Sequence, residues 1–305
     1  MSRPESNGTP GVSPEFRTEP IAYVRPRRSD APRNAFTVDV EDWYQSCVDY
    51  DAPITDRVVR NVDMILVVLE DCGLKGTFFV QGKVAEAFPE LVSSLAAEGH
   101  EVQSHGYSHR PLYSMNRKQI RTELERAKKT VEDAAGTEVF AFRAQDFSIG
   151  ASNMWVIEAL AEAGFDVDSS IFPARARRYG IRGWPLQPHL ISFNSGRKIL
   201  EVPVAVWPLG PLRLPVAGGG YFRLLPRRLL ERGLASIERS ERPVVIYCHP
   251  YEFSSDELAS FPEVSRWRRT SQGLGRRSFA EQMRLILRNG TFGRFRDVLR
   301  AWNLR

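Results

Sequence analysis

Two short stretches bring together residue types that could do chemistry. The first is Phe36-Thr37-Val38-Asp39-Val40-Glu41-Asp42, an apolar, β-branched run leading into three carboxylates. Strand-formers ending in acids place those acids at the C-terminal end of a strand. Asp39 and Glu41 are two apart, so on an extended chain they share a face. Like charges so placed are costly unless a cation or a division of roles separates them. The second stretch is His105-Gly-Tyr-Ser-His109, which holds two of the five histidines in the chain. An i, i+4 pair on one helical turn presents two imidazoles to one metal ion. With one carboxylate added, three protein ligands leave a position open for water, the pattern of a catalytic rather than a structural zinc. Such an ion lowers the pKa of its water to about 7 and polarises a carbonyl. Each stretch taken alone also reads as solvated surface: an acidic turn after a strand, two histidines on a loop.

Three further positions fall at the ends of apolar runs. Arg143 closes Phe140–Ala144, and a buried arginine beside carboxylates can orient one of them; a surface salt bridge is the plainer reading. Asp168, in Asp168-Ser169-Ser170, follows Phe165–Val167 and would by itself pass for a turn or helix cap. His249 ends the strand-like Pro243–Cys248. A lone histidine there is usually a satisfied core residue, but opposite an activated water it becomes a candidate general acid.

The elements that must hold these residues alternate regularly. Residues 55–72 read as an amphipathic helix with Val58, Val62, Ile65, Leu66 and Leu69 inward and Gly73 as its stop. A strand is expected at 76–81, a helix at 83–98 interrupted near Pro89, and a strand at 101–104. Asn116 can cap a charged helix to about Ala135. Strands at 140–144 and 165–168 flank a helix at 153–163. Residues 173–200 look mostly like loop, 201–206 like a strand and 218–223 like a glycine loop. Ser278 and Glu281 read as a capping box opening a helix with Phe279, Met283, Ile286 and Leu287 inward. Strand–helix alternation predicts a parallel α/β sheet or barrel, with the active site at the C-terminal ends of the strands. The candidate residues sit at those ends.

Composition narrows the class. With 305 residues, 42% hydrophobic and 26% charged, the chain is long enough for one large α/β domain and ordinary for a globular protein. Residues 1–33 are rich in Pro, Ser, Arg and Glu, without the apolar core of a secretory signal, and are expected to be a disordered tail before a catalytic domain at 34–305. No apolar run reaches 18 residues, so no membrane-spanning helix is expected. Cys47, Cys72 and Cys248 are odd in number and widely spaced, which argues against a disulfide framework and for a reducing cytoplasm. A net charge of +5 mildly favours anionic lipid or phosphate-bearing surfaces; no nucleic-acid partner is expected.

Taken together, the acidic motif, His-x-x-x-His, arginine motif, aspartate motif and late histidine stand in the order of the polysaccharide deacetylase family (the NodB-homology domain, carbohydrate esterase family 4), which the chain resembles over roughly residues 34–300. Val38–Trp43, Gly76–Val80, Ser104–His109, Asp168–Pro173, Gly218–Pro226 and His249–Glu252 are closer still to a bacterial subgroup associated with exopolysaccharide and PEP-CTERM/exosortase gene clusters. The resemblance implies a distorted (β/α) barrel with fewer than eight strands. It implies metal-dependent removal of N-acetyl groups from amino sugars. On that basis Asp39 is the general base. His105 and His109 bind a divalent ion, most readily Zn2+. His249 protonates the leaving amine, Arg143 holds Asp39, and Asp168 supports His249. The acetyl methyl would rest near Val245 and Tyr247. The third ligand is Glu41 or Asp42; strand alternation favours Glu41.

The chain departs from the family at two places. Gln145 follows Ala144 where a proline usually stands, beside the backbone that helps bind the oxyanion. Residues 176–178 read Ala-Arg-Arg where the subgroup often has His-Asp, which makes the cleft more basic. The substrate expected is a saccharide, lipid-linked or nucleotide-linked, met inside the cell. The arginine-rich end, residues 264–305, would contact an anionic membrane surface, or simply solvate the outer helices. Hydrolysis of another non-peptide C–N bond and a non-catalytic saccharide-binding barrel are the competing functions. Retention of Asp39, both motif histidines and His249 weighs against the last.

Overall fold

The computed structural model describes residues 16–26, 31–175 and 179–305. The first strand, β1 (Phe16–Pro20), falls inside the stretch expected to be tail. The next, β2 (Asn34–Val40), is buried along its whole length, as a strand covered on both faces should be. A short helix α1 (Trp43–Cys47) and the amphipathic α2 (Arg57–Asp71) lead to β3 (Thr77–Val80). Between β3 and β4 (Glu101–Ser104) the helix expected to be interrupted near Pro89 is two, α3 (Gly82–Ala87) and α4 (Pro89–Ala97). Pro89 opens α4 in its first turn, where a missing N–H costs nothing. Helix α5 (Arg117–Ala135) starts at a capping box of Asn116 with Gln119 and stops at the left-handed Gly136. Strand β5 (Ala141–Phe142), helix α6 (Trp155–Glu162) and strand β6 (Val167–Asp168) continue the alternation.

The stretch expected to be mostly loop holds an antiparallel pair, β7 (His189–Phe193) and β8 (Lys198–Glu201). Its prolines at 173, 185 and 188 mask a run, His189-Leu-Ile-Ser-Phe193, that alternates buried and half-buried. A small hairpin follows, β9 (Val206–Leu209) with β10 (Leu212–Pro215). The expected glycine loop is a helix, α7 (Gly219–Leu224), followed by α8 (Arg227–Arg239) and β11 (Val244–Cys248). Helix α9 (Arg266–Gly273) precedes α10 (Arg276–Arg288), then β12 (Phe292–Gly293) and α11 (Phe295–Ala301). Helix α10 begins at Gly275, three residues before the expected cap Ser278, yet Phe279, Met283, Ile286 and Leu287 are inward as its spacing predicts.

All the strands except β9 and β10 form one sheet in the order β1-β7-β8-β6-β5-β4-β3-β2-β11, with β12 pairing the start of β2. From β8 to β11 the neighbours are parallel. The chain after β8 crosses to β11, where Ala205 N donates to Val245 O at 2.9 Å and Tyr247 N to Ala217 O at 2.8 Å. That link draws the two ends of the parallel run together, giving a distorted (β/α) barrel. Gly218 makes the close approach possible: a Cβ there would lie 1.9 Å from Tyr247 O. Strand β1 pairs antiparallel with β7 from Phe16 opposite Phe193 to Pro20 opposite His189. The expected tail is therefore ordered over Phe16–Pro20, because the open edge of β7 offers backbone groups that need partners. Residues 1–15 and 27–30 of that expectation, and the Ala-Arg-Arg at 176–178, lie outside the described residues. Among the described residues no helix is long and apolar enough to cross a membrane.

Candidate metal and hydrolase centre

Each motif residue sits where a parallel strand ends. Asp39 is the penultimate residue of β2 and Glu41 the first beyond it; His105 follows β4, Arg143 follows β5, Asp168 ends β6 and His249 follows β11. His105–His109 is not a helical turn. It is a loop that bends back through Gly106 (φ 72°) and His109 (φ 64°). Gly106 is needed there for space as well, since a Cβ would lie 2.4 Å from Gln145 Oε1.

The loop brings both imidazoles to one carboxylate. One ligand atom from each of Glu41, His105 and His109 lies within 4.8 Å of the other two, all three residues buried. His105 Nε2 is 3.3 Å from Glu41 Oε2, and His109 Nε2 contacts the same oxygen more closely. His105 Nδ1 faces the carbonyl of Arg143 at 2.9 Å. A carbonyl only accepts, so Nδ1 carries the proton and Nε2 presents its lone pair to the site. Glu41 Oε2 and both ring nitrogens of His109 are buried without a well-formed hydrogen bond. Orphaned donor atoms of this kind, two imidazoles and a carboxylate, fit a divalent ion. Burial alone would raise the Glu41 pKa, but the His109 charge and the close approach of both imidazoles hold it well below the ordinary value. Burial would lower His109, yet the charge of Glu41 close against its ring leaves it raised.

Asp42 does not join this group, which corrects its candidacy as a ligand. Its Oδ1 caps α1, accepting from Tyr44 N at 2.9 Å and Gln45 N at 3.1 Å. Its Oδ2 accepts from Thr55 N and Thr55 Oγ1 at 3.0 and 2.5 Å. The chain leaves the strand and begins a helix at this residue, so the side chain is used locally.

Arg143, fully buried, holds Asp39. Its Nη1 donates to Asp39 Oδ1 at 2.9 Å and to Thr37 Oγ1 at 2.6 Å. Thr37 and Asp39 share the inward face of β2, which is why one guanidinium nitrogen reaches both. The ring of Phe79 lies 4.3 Å under the guanidinium.

The support expected from Asp168 for His249 goes elsewhere. His249 Nδ1 and its backbone N both approach Glu252 Oε2, at 3.1 and 3.0 Å. Arg223 Nε donates to the other oxygen of Glu252 at 2.8 Å. Tyr251 stacks on the His249 ring, centroids 4.9 Å apart at 7°. Burial would lower the His249 pKa, but the hydrogen bond and charge of Glu252, with Glu41 and Asp39 adding to it, raise it to about 9. Burial would raise Glu252; the hydrogen bond and charge of His249, then Arg223, hold it low.

The Asp168 segment instead supports Arg143. Ser169 accepts from Arg143 Nη2 at 3.2 Å through its hydroxyl, and Ser170 Oγ accepts from Ala144 N at 2.8 Å. The reason is adjacency: β6 lies beside β5, whereas β11 does not pair with β6. Asp168 contacts Ser170 and pairs with the buried Glu201. Burial raises both carboxyls, and the Asp168 charge pushes Glu201 well above the ordinary value, so Glu201 carries the proton of the pair.

A cavity of about 230 Å3 opens over the centre, lined by Asp39, Glu41, His105, His109, His249 and Tyr247 among others. Val245, two residues before Tyr247 in β11, is buried and does not line the cavity. Gln145 turns its side chain away, Nε2 donating to Arg110 O at 2.8 Å. Glu252 and Arg223 are the working residues that motif reading did not assign. Both stand in quoted motifs, His249–Glu252 and Gly218–Pro226, but nothing in their spacing says that they meet.

A barrel with acids, imidazoles and one buried arginine converging at its C-terminal mouth defines a hydrolase-type scaffold. Residues 48–167 match the family model described as Polysaccharide deacetylase, and residues 169–300 a second one described as Domain of unknown function (DUF3473). Residues 48–167 thus carry a polysaccharide deacetylase match, and the second match is consistent with the exopolysaccharide-associated subgroup. It is similar to the Bacillus cereus Peptidoglycan-N-acetylglucosamine deacetylase, 36% identical over 72 residues, 24% of this chain and 26% of that protein. It is similar to the Helicobacter pylori Peptidoglycan deacetylase, 27% identical over 158 residues, 48% of this chain and 52% of that protein. The chain thus spans about a quarter to a half of the length of these relatives. Among solved structures, a Mycobacterium smegmatis protein whose name places it with the polysaccharide deacetylases superposes with TM-score 0.59 at 21% identity, covering 91% of each chain. Puue Allantoinase superposes with TM-score 0.60 at 15% identity, covering 92% of this chain and 94% of its own. At these identities the likeness concerns the fold.

Proposed function

We propose that this chain is a metal-dependent N-deacetylase acting on an N-acetylated amino sugar of an envelope or exopolysaccharide pathway. One observation carries the reading: Glu41, His105 and His109 share a cavity with an arginine-held carboxylate, Asp39, and a carboxylate-held imidazole, His249. The family and the named activities of its relatives support the same chemistry. Glu41, His105 and His109 would hold the ion, which when bound polarises the acetyl carbonyl and acidifies a water.

The protein's own groups move the protons. Asp39, oriented by Arg143, accepts a proton from the attacking water. His249, kept protonated by Glu252, donates to the amide nitrogen as the C–N bond breaks. Acetate and a free amine leave. Tyr247 supplies an apolar wall suited to the acetyl methyl. Three free cysteines support a reducing, cytoplasmic setting.

Acetate release from N-acetylglucosamine oligomers tests the proposal. Asp39→Asn should keep the metal and lose turnover by about 10²–10⁴-fold. Full activity in that variant would remove Asp39 as the base. Because the fold is shared with an allantoinase, allantoin belongs in the same assay; turnover of allantoin alone would move the activity to a cyclic amide.

A further inference from the structure

Four large apolar side chains stand exposed beside the cavity mouth: Tyr221 and Leu224 on α7, Trp267 on α9 and Leu274 just beyond it. Tyr221 and Leu224 are three residues apart and lie on one side of α7, while Trp267 projects from α9 and Leu274 follows its last residue. The two helices are tied together. Arg223 Nη1 donates to the carbonyls of Gln272 at 2.6 Å and Leu274 at 2.8 Å. The joint is tight, since a Cβ on Gly275 would lie 2.6 Å from Arg223 O. These side chains therefore form one surface. Trp267 is 80% exposed and Leu224 60%. Isolated exposed apolar residues need no explanation, but a cluster containing an open indole does.

The rim of this surface is basic. Helix α9 reads Arg-Trp-Arg-Arg-Thr-Ser-Gln-Gly, with three arginines and no acid. Among the described residues Arg228, Arg266, Arg269 and Arg277 make no ion pair, while nearby Glu231 and Glu281 are engaged by Arg227 and Arg284. Tryptophan and leucine inside an arginine rim are the composition that seats in the interfacial zone of a bilayer and is drawn to anionic headgroups. The surface also runs into the active site, because Arg223 and Gln272 line the cavity.

We infer that the α7–α9 face docks on an anionic lipid membrane, with Trp267, Leu224 and Leu274 at the acyl boundary, and sets the cavity mouth against a lipid-linked saccharide. The substrate half of this inference rests on the deacetylase reading; the docking half stands on the surface alone. Net positive charge alone would attract the whole molecule weakly and without orientation. The apolar cluster gives the contact a defined face.

The full chain is mixed with phosphatidylcholine vesicles and with vesicles of phosphatidylcholine and phosphatidylglycerol in equal parts, and bound protein is sedimented. Binding to the anionic vesicles only, weakened by salt, is expected. Trp43, Trp184, Trp207 and Trp302 are buried and Trp155 is half-buried, so a blue shift of tryptophan emission that disappears in Trp267→Ala reports insertion at this face. Trp267→Ala with Leu224→Ser should cut binding about tenfold or more. Arg266→Gln and Arg269→Gln should each cut it about fivefold. None of the four side chains lines the cavity, so acetate release from soluble oligomers should not change. Absence of anionic-vesicle binding, or undiminished binding by the Trp267–Leu224 variant, overturns the inference. So does a concentration-dependent dimer abolished by that variant without vesicle binding, which would assign the face to a second copy. Vesicle binding without acetate release would sink the deacetylase reading and leave the docking face standing; acetate release without vesicle binding would do the reverse.

Discussion

The Nδ1–H of His105 donates to the main-chain carbonyl of Arg143 at 2.9 Å. The side chain of the same arginine holds Asp39 at 2.9 Å. One residue at the end of β5 thus sets the tautomer of a candidate ligand through its backbone and the direction of the candidate base through its guanidinium. Arg143→Lys should separate the two effects. The carbonyl remains, so metal content should be kept, while a single ammonium cannot replace the bonds to Thr37, Asp39 and Ser169. Turnover should fall about 100-fold or more with metal unchanged. Arg143→Met leaves Asp39 buried and unpaired and should destabilise by about 3–5 kcal/mol, read by urea unfolding.

The choice between neighbouring carboxylates is open to direct measurement. Metal analysis should find about one divalent ion per chain, sharply reduced in Glu41→Gln and His105→Ala. Asp42→Asn should retain it and lose only about 1 kcal/mol, because Asp42 caps α1 and bonds Thr55. Loss of metal in Asp42→Asn with retention in Glu41→Gln would reverse the assignment.

Glu252 makes His249 an acid with an alkaline limit. A raised pKa means that the imidazolium is populated below about 9 and is lost as pH rises through that value. The rate should fall on that limb, somewhat below 9 once a cation offsets Glu41. Glu252→Gln removes the hydrogen bond to a charged group and leaves burial, which favours the neutral ring. The limb should move to lower pH by about 1–3 units. An unmoved limb would show that another group sets it. The same shift enters folding: the stabilisation is complete below the ordinary histidine value of 6.5 and disappears as pH rises through about 9.

The Asp168–Glu201 pair predicts a signature of the same sign, in a lower pH range, from two acids. Their folded pKa values are raised, so the native state binds a proton that the unfolded chain has released above the ordinary glutamate value of 4.5. Stability should fall as pH rises from there. Glu201→Gln mimics the protonated partner and should flatten that decline in a series of melting temperatures across pH. A parallel decline in the variant would remove Glu201 as its source.

Much of the barrel was legible because its signals are local. Apolar strand runs, the Asn116 cap, the stop at Gly73 and the inward face of α10 each depend on neighbours a few residues away. The order of strand-end motifs also belonged to the chain itself: acids after β2, histidines after β4, an arginine after β5 and a late histidine after β11. Tertiary structure alone decided the partnerships. Asp42 and Glu41 are adjacent carboxylates, and only the turn into α1 sends one to a cap and the other to the imidazoles. Asp168 and Glu252 are equally able to hold a histidine, but β6 adjoins β5 while Glu252 lies one short turn from His249. Strand β1 is ordered by the edge of β7, far along the chain, and a strand whose stability comes from a distant edge leaves little trace in its own composition. Residue types declare what a side chain can do; the packing of distant segments determines which partner it meets.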